Sequence, residues 1–271
     1  MDKTALGDRM KWYERRYTDH VLMPMIPVLC RIDGRSFSKF TEGLARPYDE
    51  RLSKLMVDTT KFLVEETNAR CGYTQSDEIT LVWLAEDAEA EIFFGGKLLK
   101  MTSVVGSLAS VFFNRELPSR IPEKADKMPV FDNRVWEVPV LYEATNCFIW
   151  REKDATRNSV QMAARSVYSH NECHNKNNSE LQEMLFQKGI NWNDYPTHFK
   201  RGVYVRKRVV ERSFTEEELA NLPEKHHART NPDTVVKRTV VMQEDFPPLT
   251  RIKNREETIL FGEDPIIEEE W

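Results

Sequence analysis

The hydrophobic positions of the chain fall into short, separable patterns. "PVLCRID", Pro27 to Asp33, reads as a buried strand that leaves its last carboxylate at the edge. The following "GRSFSKFTEGLARPY" is a loop rich in Gly, Ser and basic residues. Leu52, Leu55, Met56, Thr59, Phe62 and Leu63 then recur at three- and four-residue spacing, one face of a helix that Asp49 caps and that runs to about Asn68. "CGYT" and "EITLVWL" are two short strands around "QSD", a hairpin. A second amphipathic helix, Gly96 to about Asn114, carries Leu98, Met101, Val104, Val105, Leu108 and Phe112 on its core side, and "MPVFDNRVWEVP" is a further strand. Beyond it lie a mostly helical stretch from Tyr142 to His170, a helix near Leu181 to Lys188, a loop "INWNDYPTHFKRG", and strands at "VYVRKRVV" and "TVVKRTVVM". The acidic "EEEW" end reads as a mobile tail.

The order strand, helix, strand, strand, helix, strand predicts an α+β fold. It is a ferredoxin-like βαββαβ antiparallel sheet with helices on one face, followed by a helical and strand C-terminal extension. The catalytic core is expected over 1–140, a helical and strand part of the same domain over 141–222, and a charged extension over 223–271. In that layout the end of the first strand neighbours the hairpin turn, so Asp33 and Asp77 approach each other.

Composition narrows the setting. At 271 residues the chain can bury a substantial core. Its longest apolar runs, such as "VLMPMIPVLC", are too short and Pro-broken to span a bilayer, and the charged N-terminus lacks the apolar core of a secretion signal. Cys30, Cys71, Cys147 and Cys173 show no paired spacing, as expected of free thiols in a reducing cytoplasm. A net charge of −5 excludes a wholly basic surface but leaves two local basic patches, Trp150 to Ser159 and Lys200 to Arg212. Taken alone, either patch reads first as a solvated face.

Two carboxylates ~4 Å apart repel by about 4 kcal/mol at an effective dielectric of ~20, so one takes up a proton or a cation sits between them. Oxygen ligands at strand ends, with the carbonyl of Gly34 able to approach closely, favour Mg²⁺ completed by substrate phosphates. The loop fits the rest of such a site: backbone N–H groups from Gly34 to Ser38, the hydroxyls of Ser36 and Ser38, and the cations Arg35, Lys39, Arg46 and Arg134 are candidate phosphate contacts. Phe37 either stacks on a base or fills the core. Glu78 alternates to the side of the strand opposite Asp77, in a supporting role or simply facing solvent. Two ions in such a site would align an attacking hydroxyl and a leaving pyrophosphate, the chemistry of palm-type nucleotidyl transfer. His170, Cys173 and His174 in "HNECH" lack a second ligand cluster and read as a polar helix end rather than a zinc site. Trp150 either fills the core or, with Arg151, touches RNA; no face can be assigned to Arg206, Lys207 and Arg208 from alternation.

Five segments, "RIDGRSFSKF", "ARPYDERLSKLM", "GYTQSDEITLVW", "VFDNRVWEVP" and "IWREKDATRN", occur in the order and spacing of the tRNA-histidine guanylyltransferase family, which the chain resembles from about Met10 to about Val210. The resemblance implies a palm-like fold, usually a homotetramer. It also implies 3′-to-5′ addition of nucleotides to the 5′ end of tRNA, with ATP and GTP as substrates and Mg²⁺ as cofactor. Carried over by position, metal ligands fall on Asp33, the Gly34 carbonyl and Asp77. The nucleotide-binding loop falls on Asp33, Gly34, Arg35, Ser36, Phe37 and Ser38 together with Ser76 and Asp77. Arg46, Asp49 and Arg134 resemble further nucleotide contacts, and Arg151, Asn158, Arg206 and Arg208 are candidate RNA contacts.

Where the guanylyltransferases proper carry His-Ile-Asn-Asn-Leu-Tyr-Asn, this chain reads "TRNSVQM", keeping only Asn158, and Ser38 replaces a usual His. The pattern is therefore more similar to the guanylyltransferase-like branch, which repairs 5′-truncated tRNAs by templated addition. Alternatives are single-G addition to histidine tRNA, a palm-type diguanylate cyclase (against which the hairpin "QSDE" lacks paired glycines), and a non-enzymatic RNA-binding module.

Overall fold

The computed structural model describes residues 4–231 and 234–268. Along the chain these form α1 (Ala5–Thr18), β1 (Val28–Gly34), α2 (Phe37–Phe40), α3 (Glu50–Glu66), β2 (Cys71–Gln75), β3 (Glu78–Trp83) and α4 (Leu98–Arg120). They continue with β4 (Phe131–Glu137), α5 (Leu141–Arg165), α6 (His170–Cys173), α7 (Asn178–Gln187), α8 (Thr197–Arg201), β5 (Val203–Ser213), α9 (Glu216–Asn221) and β6 (Val235–Glu244). The acidic end beyond Glu268 lies outside the described residues.

The strands make one antiparallel sheet in the order β4-β1-β3-β2-β5-β6. Its first four strands have the ferredoxin-like arrangement, and β5 and β6 extend the sheet beyond β2. Alternation along β1 sorts its side chains to two faces. Val28, Cys30 and Ile32 meet Leu55, Met56 and Leu63 of α3 and Met101, Val105 and Phe113 of α4. These are the two helices of the βαββαβ unit, and both lie on that face.

Leu29 instead faces the opposite side, where Cys71, Tyr73 and Val82 are covered by Ala144, Phe148 and Ala155 of α5. Leu249, Ile252, Ile259 and Leu260 complete this second layer, so part of the charged C-terminal segment is buried against the sheet. The last turns of α5 pack on α7 and α8 through Val160, Ala163, Leu181, Leu185 and Phe199.

Two helices differ from the sequence reading. α4 runs one and a half turns past Asn114 and contains Pro118, because Leu117 and Ile121 are fully buried and hold the final turn on the core. α1 has no buried residue and so shows no core-facing stripe; it is held at its start by Gly7 N–H donating to Thr4 Oγ1 at 3.1 Å. The loop "INWNDYPTHFKRG" also contains the short α8.

Candidate active site

Backbone pairing alone brings the two candidate carboxylates together. Asp33 stands opposite Glu78 on β3 and Asp132 on β4, and the Gly34 N–H donates to the Asp77 carbonyl at 3.1 Å. The hairpin turn is thereby fastened to the end of β1. Burial, and next the charge of Asp33, push the Asp77 carboxyl above its ordinary range. Ser76, held in the left-handed region at φ 54°, donates its hydroxyl to Asp77 Oδ1 at 3.1 Å.

Gly34 is required at its place by packing. A Cβ there would lie 2.3 Å from Phe37 Cδ2. The Phe37 ring is buried against Phe40, Phe113 and Phe131, with centroids at 4.9, 5.7 and 5.1 Å, so it fills the core and does not stack on a base. This corrects its side chain as a nucleotide contact. The phosphate-binding amides also narrow: those of Gly34 and Arg35 are used by the Asp77 and Val130 carbonyls, which leaves the start of α2, from Ser36 to Ser38.

Glu78 does not face solvent. Arg151 Nε donates to its Oε1 at 2.5 Å and Arg151 Nη2 to its Oε2 at 2.8 Å. Arg151 also donates to Asp154 at 2.9 Å and is only 8 % exposed. It therefore contributes to the site by holding the hairpin, and its committed donors argue against direct RNA contact. Arg31 sits 3.7 Å from both Asp33 and Glu78.

These groups border a cleft of about 680 Å³ between the sheet edge and α5, with Ser38, Ser76, Asn158 and Arg165 also on its walls. Asn158 donates to Asp154 at 3.3 Å. An adjoining pocket of about 280 Å³ shares Ser38, Gln75, Ser76, Met162 and Arg165 with the cleft and adds Arg46 and Asp49. Asp49 is already committed: Arg51 donates to it from its backbone at 2.9 Å and from its guanidinium at 3.0 and 2.8 Å, and Ala45 N–H at 3.3 Å. These bonds hold its carboxyl down to about 2, so it shapes the pocket wall more than it offers an acceptor.

Arg134 stands apart, beside Arg31 in the sheet register, in a neighbouring groove with Trp136 and Trp150. Trp150 is 52 % exposed and so is not a core residue. Arg206 is corrected outright as an RNA contact. It is 1 % exposed and donates to Glu244 at 2.6 Å and to the Thr258 and Glu263 carbonyls at 2.8 and 2.6 Å. Arg208 pairs with Glu244 and Asp264, away from the cleft. Cys173 is buried in the α5–α7 core and His170 stacks on His174.

Among the described residues no cluster of three or more His, Cys, Asp or Glu is poised for a metal. The candidate cation site is a pair of carboxylates, Asp33 and Asp77, with the Gly34 backbone oxygen. That all-oxygen donor set fits Mg²⁺, which commonly takes one or two carboxylates and leaves the remaining positions to water and phosphate. The Asp77 carboxyl is raised first by burial and then by the charge of Asp33, and a cation between the two carboxylates would offset the second of these. The sequence reading missed Arg31, Asp154, Gln161 and Arg165. Their signal was available: Arg151, Asp154, Asn158, Gln161 and Arg165 form a polar stripe at helical spacing, and Arg31 shares a strand face with Asp33.

A strand-end Asp fastened to an acidic hairpin, in an antiparallel βαββαβ sheet, defines a palm-like nucleotidyltransferase. The profile described as "Thg1: tRNAHis guanylyltransferase" matches residues 7–139. The chain is 36 % identical to a solved bacterial tRNA(His) guanylyltransferase (Thg1)-like protein in complex with ATP, with a TM-score of 0.71 over 74 % of this chain and 88 % of that one. A second bacterial Thg1-like structure, in complex with GTP, aligns with a TM-score of 0.73 at 29 % identity over 95 % and 99 % of the two chains. An uncharacterized protein of Acanthamoeba polyphaga mimivirus is 33 % identical over 228 residues, 76 % of this chain and 78 % of its own. The chain belongs to the tRNAHis guanylyltransferase family.

Proposed function

We propose that the chain is a Mg²⁺-dependent, template-directed 3′-to-5′ polymerase that repairs the 5′ end of tRNA. In the first step an oxygen of the RNA 5′-monophosphate attacks the α-phosphorus of ATP or GTP and pyrophosphate leaves. In the second, the 3′-hydroxyl of the incoming nucleoside triphosphate attacks the activated 5′-phosphorus and the nucleoside monophosphate leaves. Asp33, Asp77 and the Gly34 carbonyl would hold the cation, which when bound supplies charge stabilisation at the phosphates and a more acidic hydroxyl. The amides and hydroxyls of Ser36 and Ser38 bind the triphosphate, with Arg46 and Arg165 at the pocket beside them. Arg151 acts through Glu78 to keep the hairpin in register.

The observation that carries this reading is the fastening of Asp77 to the end of β1 beside Asp33. The templated branch is supported by the wall of the cleft: "TRNSVQM" falls on α5 and supplies Asn158, Gln161 and Met162 there, in place of the run that the guanylyltransferases proper carry. Watson–Crick pairing to the opposite strand then selects each nucleotide with little base-specific protein contact. No helix among the described residues is long and apolar enough to cross a membrane, and the four cysteines are free. We take the protein to be a cytoplasmic homotetramer; sedimentation tests the assembly.

The test supplies a 5′-truncated, 5′-monophosphorylated tRNA with ATP, GTP and Mg²⁺ and reads product length beside a histidine tRNA. Extension that stops when the acceptor stem is fully paired, and that is lost by at least a hundredfold in Asp77→Ala, is the expected result. Addition of a single G to histidine tRNA alone would replace templated repair by the guanylyltransferase reaction proper.

A further inference from the structure

The groove that contains Arg134 is a separate feature of the same sheet face. It measures about 510 Å³ and is walled by Trp136, Val138, Cys147 and Trp150, with Arg31 and Arg134 at one side. Arg31 lines both this groove and the catalytic cleft, so the groove lies one side chain away from Asp33. Trp150 carries the Arg151 guanidinium 4.5 Å from its ring centroid, and more than half of its surface remains open. Among the described residues Arg134 pairs with Asp132 alone, at 3.6 Å and with both partners exposed, a contact too weak to withhold its guanidinium from an anion. Glu143, at the rim, is the carboxylate among the lining residues.

An exposed indole flanked by two guanidinium groups is the chemistry of a single-stranded nucleic-acid platform: a base stacks on the aromatic face while its phosphate meets the cations. We infer that this groove receives an unpaired nucleotide of the RNA 3′ strand. The inference rests on the proposed reaction, because a recessed 5′ end leaves unpaired 3′ nucleotides beside the reacting phosphate. Stacking one of them next to Arg31 holds the strand end in line with Asp33 and Asp77 without reading its sequence.

The test is equilibrium binding of the full chain, without nucleoside triphosphate, to two 5′-monophosphorylated RNA duplexes, one blunt and one with a short single-stranded 3′ extension. The wild-type protein binds the extended duplex more tightly. Trp150→Ala weakens that binding by about tenfold and leaves the blunt duplex unaffected, while Trp150→Phe retains most of the preference. Arg134→Ala lowers the salt dependence for the extended duplex by roughly one counterion. Equal binding of the two duplexes by the wild type, or equal losses on both in Trp150→Ala, overturns the inference. So does abolition of the preference by excess GTP, which would assign the groove to the incoming nucleotide. Turnover is not needed, so a chain that keeps the Trp150-dependent preference but never extends a tRNA would overturn the proposed reaction alone.

Discussion

Asp77 and Asp49 are both shielded carboxyl groups with opposite consequences. The folded chain raises the pKa of Asp77 through burial and through Asp33, so the stability this group contributes is present at low pH and lost as pH rises through the shifted value. At neutral pH, without a cation, ionised Asp77 is a liability. Asp77→Asn should therefore raise the thermal midpoint of the cation-free protein at pH 7 while abolishing extension, and Mg²⁺ should raise the midpoint of the wild type but not of the variant. Scanning calorimetry with and without Mg²⁺ reads both effects. Asp49 has the other sign: its contribution is present above the ordinary carboxyl range and lost as pH falls to about 2. Gly34→Ala forces a Cβ into the Phe37 ring and should cost about 1–3 kcal/mol of stability, measured by urea titration, with loss of extension as α2 is displaced. The approach of Asp33, Gly34 and Asp77 was legible because backbone pairing of the βαββαβ unit dictates it. Where Arg206 points was not, since its side is set by Glu244 and by carbonyls more than fifty residues further along the chain.

Among the elements, α5 is joined to the hairpin by a shielded ion pair. Arg151 and Glu78 side chains are 9 % and 14 % exposed, so removing the Arg151 cation leaves a shielded carboxylate that has lost both its hydrogen bonds and keeps only the longer ion pair to Arg31 at 3.7 Å. Arg151→Met should destabilise the protein by about 3–5 kcal/mol, and Arg151→Met combined with Glu78→Gln should recover most of it; denaturant titration of the double-mutant cycle measures this coupling. α3 and α4 were legible because each presents a regular apolar face to one core, and the hairpin because two short apolar strands, buried on both faces, flank a polar turn. α1 was not, because its apolar side chains have no core to face: Leu6, Met10, Tyr13 and Tyr17 are all exposed. The end of α4 shows a different competition, in which burial of Leu117 and Ile121 outweighs the helix-breaking tendency of Pro118.

Across the whole molecule, the second face of the sheet is closed by residues far along the chain. Phe246, Leu249, Ile252, Ile259 and Leu260 cover Tyr73, Tyr204 and Phe148. Each such side chain contributes about 1.5–3 kcal/mol, so a chain ending before Phe246 should lack the ~5–15 kcal/mol that holds a domain folded and should appear in the insoluble fraction. Composition and charge gave no sign of this, since the apolar residues of that segment are scattered among acidic and basic ones. The strand order has one more consequence. Asp33 ends β1 and Asp77 precedes β3, and each of these strands is hydrogen-bonded on both sides, whereas β5 beyond Arg206 pairs with β6 alone. The amides of the outer ribbon should therefore exchange deuterium through local opening, and those of β1 and β3 with global unfolding, an ordering that hydrogen-exchange mass spectrometry reads. The spacing of the two carboxylates is in effect a fixed gauge, preserved for as long as there is a folded protein at all.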